Sequence, residues 1–141
     1  MPFEKALYTA EMISTGGRDG IANRPDGSFP LKLTVPTAIG GPGGEGTNPE
    51  ELFAAGYSAC FIGALKVAGR QDRVAVPDDV QVAAKVSLGK IDTGYGLAVE
   101  LVVHLPGLDR DVAQALVEKA HHTCPYSNAT RGNIDVTLTL A

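Results

Sequence analysis

The sequence predicts an α+β fold, because strand patterns and helix patterns alternate along the chain. Alternating apolar residues mark strands near the N-terminus, in the middle and at the C-terminus, and two other segments have helical spacing. With 141 residues, 44% of them apolar, the chain can fill a core without disulfide bonds. We therefore predict a single α+β domain over residues 1–141, in the order strands, helix, strands, helix, strand.

The N-terminal third is predicted to form a small antiparallel sheet. Side chains alternate from Ala6 to Met12, which predicts a first strand, and the glycine-rich segment 16–20 then turns the chain. Residues 21–35 predict two further short strands with a turn between them. The glycine-rich segment 40–46 lacks the Gly-Lys-Ser/Thr ending of a phosphate-binding loop, so we interpret it as a lid or connector.

A long helix is predicted to begin at Pro49 and to end near Gly69. Asn48 is suited to cap its free amides, and proline fits the first helical position. The carboxylates of Glu50 and Glu51 favour the positive end of the helix dipole. The segment that follows is rich in alanine and glycine, so one face of this helix lacks bulk and another helix can approach it closely.

The C-terminal half predicts a hairpin, a second helix and a last strand. Residues 80–88 and 97–105 alternate in polarity and are joined by the turn-forming segment 92–96. Asp109 is suited to cap the second helix, whose apolar residues recur every fourth position. Residues 134–140 alternate again and predict the final strand.

Composition argues against several functional classes. The formal net charge is −4 and no run of lysine or arginine could neutralise a phosphate backbone, so we expect no nucleic-acid partner. The N-terminus lacks the basic and apolar regions of a signal peptide, and no uninterrupted apolar stretch is long enough to span a bilayer. We therefore expect a cytoplasmic protein that does not insert into membranes.

The two cysteines, Cys60 and Cys124, are the strongest chemical signal in the chain. Cys60 lies among small residues of the first predicted helix, and Cys124 follows the second predicted helix, just before Pro125. Paired cysteines in cytosolic proteins are usually catalytic or bind metals. From spacing alone, however, both also fit a small buried hydrophobic residue.

A redox-active thiol must be ionised, which requires a cation nearby. Arg18 is a candidate because flanking glycines leave its backbone free to direct a long side chain inward, although it equally fits a surface arginine. Glu50 could hold Arg18 through a bidentate contact, or could simply complement the helix dipole. Ten residues separate Glu50 from Cys60, which is roughly 15 Å along one helix. Either Arg18 bridges much of this distance or Glu50 comes from a second subunit whose helix packs antiparallel against this one, and we favour the second option.

Three segments together resemble the organic hydroperoxide resistance (Ohr) proteins, relatives of the osmotically inducible protein C (OsmC) family. The segments are Thr15–Gly20, Thr47–Phe61 and His121–Ser127. The resemblance extends over essentially the whole chain. It implies an intertwined α+β homodimer, with antiparallel sheets around central helices and active sites at the subunit interface.

The resemblance also implies a function and roles for four residues. It implies a thiol peroxidase that reduces organic hydroperoxides, including those of fatty acids, to alcohols. Cys60 matches the peroxidatic cysteine, which becomes a sulfenic acid, and Cys124 matches the resolving cysteine, which forms a disulfide with it. Arg18 and Glu50 match the polar pair that activates the thiolate. The implied reductant is a dihydrolipoyl group on a lipoylated protein, with no bound cofactor.

Three alternatives stay open at this point. His121, His122 and Cys124 could bind a metal together with Cys60, although neighbouring helical side chains point about 100° apart. A cysteine–histidine hydrolase would need a histidine beside Cys60. A non-enzymatic stress or binding protein would carry both cysteines as packing residues. We expect no metal site.

An apolar pocket near Phe53, Phe61 and Ile62 would favour alkyl hydroperoxides over hydrogen peroxide.

Overall fold

The computed structural model describes residues 2–141 and contains two compact units, Met1–Pro49 and Glu50–Ala141. Each unit has its own sheet of three strands, and the second unit also contains the long helices. The α+β class predicted from the sequence is confirmed. That residues 1–141 act as a single domain stays a prediction.

The first unit is built on a short antiparallel sheet. Its strands are β1 (Ile13–Thr15), β2 (Ile21–Asn23) and β3 (Leu31–Lys32), with β2 in the centre. A 3-10 turn over Gly17–Asp19 connects β1 to β2, and a second one covers Thr37–Ile39. The two short strands predicted within residues 21–35 are therefore present.

The first strand was predicted in the wrong place. Residues 6–12 have no regular structure, and β1 begins only at Ile13, where pairing with Asn23 starts. The side chain of Leu7 is fully exposed and that of Tyr8 is 83% exposed. Alternation alone does not make a strand, because the backbone groups also need a neighbouring strand to pair with.

The second unit begins with the long helix and continues through a sheet and two further helices. α1 spans Pro49–Asp72, starting at the last residue of the first unit and ending slightly later than predicted. The remaining elements are β4 (Gln81–Ile91), β5 (Gly94–His104), α2 (Arg110–Thr123), α3 (Pro125–Thr130) and β6 (Val136–Leu140). The carboxylate of Asp109 accepts a hydrogen bond from the Asp111 amide, which confirms the predicted cap of α2.

The sheet of the second unit has the order β4-β5-β6. β4 and β5 form an antiparallel hairpin, in which Ile91 pairs with Gly94, so the turn is tighter than the predicted segment 92–96. β6 pairs with β5 in parallel, unlike the other pairings. The crossover through α2 and α3 returns the chain to the end of the sheet where β5 began, which makes the parallel direction possible.

The core of the second unit forms where one face of α1 meets β5 and α2. The fully buried side chains recur at helical spacing on α1 and at alternate positions on β5, as burial of one face of each element requires. They include Tyr57, Phe61, Leu65, Leu101, Val103, Leu116 and Val117. On the other side of α1, Ala55, Ala59 and Gly63 are exposed at intervals of four.

Within residues 2–141, α1 is the one helix with the length and hydropathy of a membrane span, with a mean hydropathy of 1.5. The sequence prediction considered only uninterrupted apolar stretches and so did not identify it. Alanine and the larger apolar residues raise the mean while glycine and a few polar residues interrupt the run. Core helices of soluble proteins have the same composition, so this feature by itself is weak support for insertion.

A candidate dithiol site

The fold of the second unit brings the two cysteines together although 64 positions separate them in the sequence. Cys60 is half-buried on α1, and Cys124 is completely buried at the joint between α2 and α3. Both are free thiols, and Cys124 Sγ donates a weak hydrogen bond to Cys60 Sγ over 3.7 Å. A disulfide bond is about 2.05 Å long, so a modest closing movement would join the two sulfurs.

Local sequence explains why Cys124 lies at a joint. Its backbone amide still donates to the Ala120 carbonyl at 2.8 Å, which closes α2. Its own backbone is extended, with ψ at 124°, and Pro125 then occupies the first position of α3. Proline cannot continue a helix but is well suited to start one, so the chain changes direction at the cysteine.

The surroundings of Cys60 disfavour its ionised form. Burial is the main reason that the pKa of Cys60 is raised, and charge repulsion from the nearby Cys124 raises it further. The backbone amide of Tyr126 opposes this by donating a hydrogen bond to the Cys60 sulfur, which lowers the pKa. The thiolate therefore needs additional stabilisation if Cys60 is to react as a nucleophile at neutral pH.

Small residues of α1 allow α3 to approach it closely. A Cβ atom on Gly56 would lie only 2.5 Å from the hydroxyl oxygen of Tyr126, so a larger residue would displace that ring. The Tyr126 ring packs edge-on against Phe53 and lies 5.5 Å from the Tyr57 ring. These contacts hold the residue that donates its amide to Cys60, and they confirm that another helix packs against this part of α1.

A buried polar network lies next to the dithiol. Ser127 Oγ is 2.8 Å from the Tyr57 hydroxyl and 2.8 Å from His121 Nδ1. The Tyr57 hydroxyl is also 3.4 Å from Thr130 Oγ1, which donates to the Tyr126 carbonyl at 2.9 Å. Buried hydroxyl groups require such partners, so the network stabilises one arrangement of α1, α2 and α3.

His121 connects this network to solvent. Its side chain is half-buried, whereas the neighbouring His122 is exposed. Burial first, and then the positive charges of Arg131 and His122, lower the pKa of His121. Arg131 also donates a hydrogen bond to the His121 carbonyl. His121 is therefore neutral at physiological pH, in a state that can either donate to or accept from Ser127.

An apolar groove of about 950 Å³ lies beside the site within the second unit. It is bounded by the β4–β5 hairpin, by Pro125 and Tyr126 of α3, and by Phe53 of α1. Phe53 thus lies where the sequence prediction placed it. Phe61 and Ile62 are not among the residues that line it. The Phe61 ring is fully buried in the core, where an apolar face of α1 needs a large side chain.

The other two predicted site residues belong to a 3-10 turn and to the first turn of α1. Arg18 lies in the first unit, in the 3-10 turn that follows Gly16, where Gly16 and Gly17 have φ values of 80° and 72°. That turn is the glycine-dependent one that the sequence predicted. Glu50 is the second residue of α1 and lies roughly 15 Å along the helix from Cys60, too far for direct contact within one chain.

The sequence interpretation did not assign roles to Tyr57, Ser127 or Thr130. Tyr57 stands one helical turn before Cys60, and Ser127 stands one turn after Cys124, so both belong to the same segments as the cysteines. The sequence feature that could have identified them is a polar residue within an otherwise apolar segment. Its partner, however, is far away in the sequence and becomes apparent only in the folded chain.

The geometry gives the metal and hydrolase alternatives no support. Across residues 2–141, no group of three or more histidine, cysteine, aspartate or glutamate side chains is arranged to hold a metal ion. The rings of His121 and His122 are 6.4 Å apart and tilted by 49°. His121 Nδ1 bonds to Ser127, whereas a cysteine–histidine nucleophile would require a bond to the thiol.

The family model, the curated relatives and the solved structures that match this chain all point to one family. Residues 41–139 match the family described as OsmC-like protein. The organic hydroperoxide resistance protein of Xanthomonas axonopodis pv. citri is 56% identical over 138 residues, covering 98% of this chain and 97% of that protein. The match therefore includes both cysteine-containing segments.

Two solved structures have the same fold over nearly the full length. An organic hydroperoxide resistance protein from Legionella pneumophila is 46% identical with a TM-score of 0.90, covering 97% of this chain and 99% of that chain. The protein OhrB of Bacillus subtilis is 44% identical with a TM-score of 0.85, covering 96% and 100%. Identity and coverage of this extent show that the chain belongs to the organic hydroperoxide resistance proteins of the OsmC-like family.

Proposed function

We propose that the protein is a cysteine-based peroxidase that reduces organic hydroperoxides, including those of fatty acids, to the corresponding alcohols. The observation that carries this proposal is the contact of 3.7 Å between the sulfurs of Cys60 and Cys124. Two free thiols at this separation can be oxidised in sequence and then close to a disulfide. Membership of a family named for organic hydroperoxide resistance supports the substrate class.

The proposed reaction has two chemical steps. The Cys60 thiolate attacks the terminal oxygen of the hydroperoxide, the O–O bond breaks, and the leaving alkoxide takes up a proton to become the alcohol. Cys60 is then a sulfenic acid. Cys124 attacks its sulfur, the S–OH bond breaks, and hydroxide leaves as water after taking the thiol proton. The half-buried Cys60 is accessible to the peroxide, whereas Cys124 is fully buried and reacts only with Cys60.

The groove beside the site supports an organic substrate. Its position against Pro125 and Tyr126 puts apolar surface next to the segment that carries Cys124. Burying a methylene group there contributes about 0.8 kcal/mol, which an alkyl hydroperoxide gains and hydrogen peroxide does not. A volume of about 950 Å³ is within the range of ligand-binding sites.

Arg18 and Glu50 are proposed to activate Cys60. Because burial raises the pKa of Cys60, a guanidinium near its sulfur would restore the thiolate, and a carboxylate would hold that guanidinium in place. Arg18 is suited to this by its glycine-dependent turn. Since Glu50 is roughly 15 Å from Cys60 along α1, we assign it to the site of a second subunit.

We further propose an intertwined homodimer. The exposed stripe of Ala55, Ala59 and Gly63 would let α1 of two subunits pack closely and antiparallel, and a crossing point at Ala55 would set Glu50 of one opposite Cys60 of the other. Exposed apolar side chains of the N-terminal segment, such as Leu7, also require cover. Light scattering is expected to give twice the chain mass, and a short bifunctional thiol reagent is expected to cross-link an E50C variant to Cys60 of the other subunit. A monomeric mass would contradict the dimer.

The electron donor is proposed to be a dihydrolipoyl group on a lipoylated protein. A dithiol can reduce the Cys60–Cys124 disulfide by thiol exchange and leave as a cyclic disulfide, so no bound cofactor is needed. The reaction is proposed to occur in the cytoplasm, without a nucleic-acid or membrane partner. The net charge of −4 argues against a nucleic-acid partner. The use of reduced thiols is typical of the cytoplasm, where thiols stay reduced.

A single-turnover experiment tests the proposed function. The fully reduced protein is mixed with one equivalent of an organic hydroperoxide and, separately, of hydrogen peroxide. We expect both thiols to disappear as one alcohol forms, faster with the organic peroxide, and peptide mass mapping should locate a Cys60–Cys124 bond. Survival of both thiols would favour the alternative, a non-enzymatic stress protein whose cysteines only pack.

A further inference from the structure

The hydroxyl group of Ser127 joins the three helices that surround the dithiol. Its side chain is fully buried, and Oγ lies 2.8 Å from the Tyr57 hydroxyl on α1 and 2.8 Å from His121 Nδ1 on α2. Ser127 itself belongs to α3. One small polar atom therefore connects every element that carries or flanks a cysteine of the site.

Loss of this hydroxyl would leave its partners poorly satisfied. Tyr57 is fully buried. Of the hydrogen bonds that its hydroxyl makes within residues 2–141, only the longer contact of 3.4 Å to Thr130 would stay without the Ser127 hydroxyl. Leaving a buried polar group without its partner destabilises the folded state by more than a typical hydrogen bond stabilises it. The network thus favours one spacing of α1 and α3 over alternatives.

The joint at Cys124 explains why this spacing matters for the reaction. The chain changes direction at Cys124, so the angle between α2 and α3 decides where its sulfur points. Asn128 donates its amide to the Cys124 carbonyl at 3.0 Å, and Ser127 lies beside it in the same turn. On the other side, Tyr57 precedes Cys60 by one turn of α1. Fixing Tyr57 to Ser127 therefore fixes the two sulfurs relative to each other.

We propose that Ser127 is a positioning residue, which holds Cys124 against Cys60 so that the disulfide closes rapidly. The inference rests on the proposed function for its biological meaning, because it concerns the second of the two steps described above. Ser127 does not touch the peroxide in this scheme. It acts through Tyr57 and His121 on the geometry of the thiol pair.

A peroxide-independent closure assay tests this role. Reduced protein is mixed with a dithiodipyridine, which the half-buried Cys60 attacks, releasing one thiopyridone and leaving a mixed disulfide. Cys124 then attacks that disulfide and releases a second thiopyridone in a first-order phase. In Ser127→Ala we expect the second phase to slow by about tenfold, equivalent to about 1.4 kcal/mol, while the first phase changes less than about twofold.

Matched variants separate positioning from general damage. Ser58→Ala removes a hydroxyl that bonds within α1, to the Ala55 carbonyl, and is expected to leave both phases unchanged. Tyr57→Phe keeps the buried ring but removes its hydroxyl, so it should slow closure as Ser127→Ala does. His121→Asn keeps a polar atom at the δ position and should restore most of the closure rate, whereas His121→Ala should not.

The outcomes are distinguishable. Unchanged closure in both Ser127→Ala and Tyr57→Phe would overturn the inference, and so would equal slowing of both phases, since a loosened fold would affect both. Equal closure rates in His121→Asn and His121→Ala would also count against it. If wild-type protein closes normally with the dithiodipyridine but does not react with hydroperoxides, the proposed function fails while the positioning role stands.

Discussion

Replacing Cys60 with serine is expected to lower peroxidase activity by at least about a thousandfold, the scale on which loss of a nucleophile acts. Serine keeps the size of the side chain, but its hydroxyl is neither ionised at neutral pH nor able to form a sulfenic acid. Because Cys60 is only half-buried, the substitution should leave the free energy of unfolding almost unchanged. Activity is measured by loss of an alkyl hydroperoxide with a dithiol as reductant.

Cys124→Ser provides the matched comparison. It removes the buried partner at 3.7 Å but leaves the nucleophile, so one equivalent of peroxide should still be consumed. The product would be a lasting Cys60 sulfenic acid, detectable by mass after trapping with a 1,3-dione such as dimedone. Undiminished turnover by Cys60→Ser would show that Cys60 is not the nucleophile. A trapped sulfenic acid on Cys124 in the wild-type protein would reverse the two assigned roles.

Replacing Arg18 with alanine is expected to move the reactivity of Cys60 to higher pH. Burial and the neighbouring Cys124 already raise the pKa of Cys60, so loss of a stabilising cation would raise it further. The rate follows the thiolate fraction, which rises with pH through the pKa and levels off above it. Each unit of further increase should therefore slow the reaction at neutral pH by about tenfold. The pH dependence of the second-order rate with an organic hydroperoxide measures this shift.

Arg24→Ala is a suitable control, because Arg24 belongs to the same unit and its guanidinium lies 5.1 Å from the Phe29 ring centroid. Its removal changes the net charge equally but should leave the pH midpoint where it is. Arg18→Lys should recover part of the rate, since lysine supplies the charge but not the bidentate geometry of arginine. An unshifted profile in Arg18→Ala would show that another group, or the Tyr126 amide alone, stabilises the thiolate.

Much of the fold was predictable because the relevant signals are local. Pro49 and the two glutamates after it predicted where α1 begins, and the alternation in residues 80–88 and 97–105 predicted the hairpin of β4 and β5. The cap at Asp109 was predictable for the same reason. Each of these features depends on the preferences of neighbouring residues, which are the same before and after folding.

The errors occurred where a pattern needed a distant partner. Residues 6–12 alternate as a strand does, but the described chain pairs only from Ile13 onwards. The parallel pairing of β6 with β5 depended on how α2 and α3 pack, which no short segment of sequence encodes. The tertiary arrangement, rather than local propensity, selects which strand edges meet.

For the candidate site, the sequence by itself determined that Cys60 and Cys124 were the residues to examine, and resemblance gave them roles. Only the tertiary structure decided that their sulfurs lie 3.7 Å apart and that Ser127 bonds to both Tyr57 and His121. These contacts arise because α1, β5 and α2 bury their apolar faces together, which brings polar groups far apart in the sequence into one interior. Burial then requires those groups to pair, and this requirement acts on the folded chain alone.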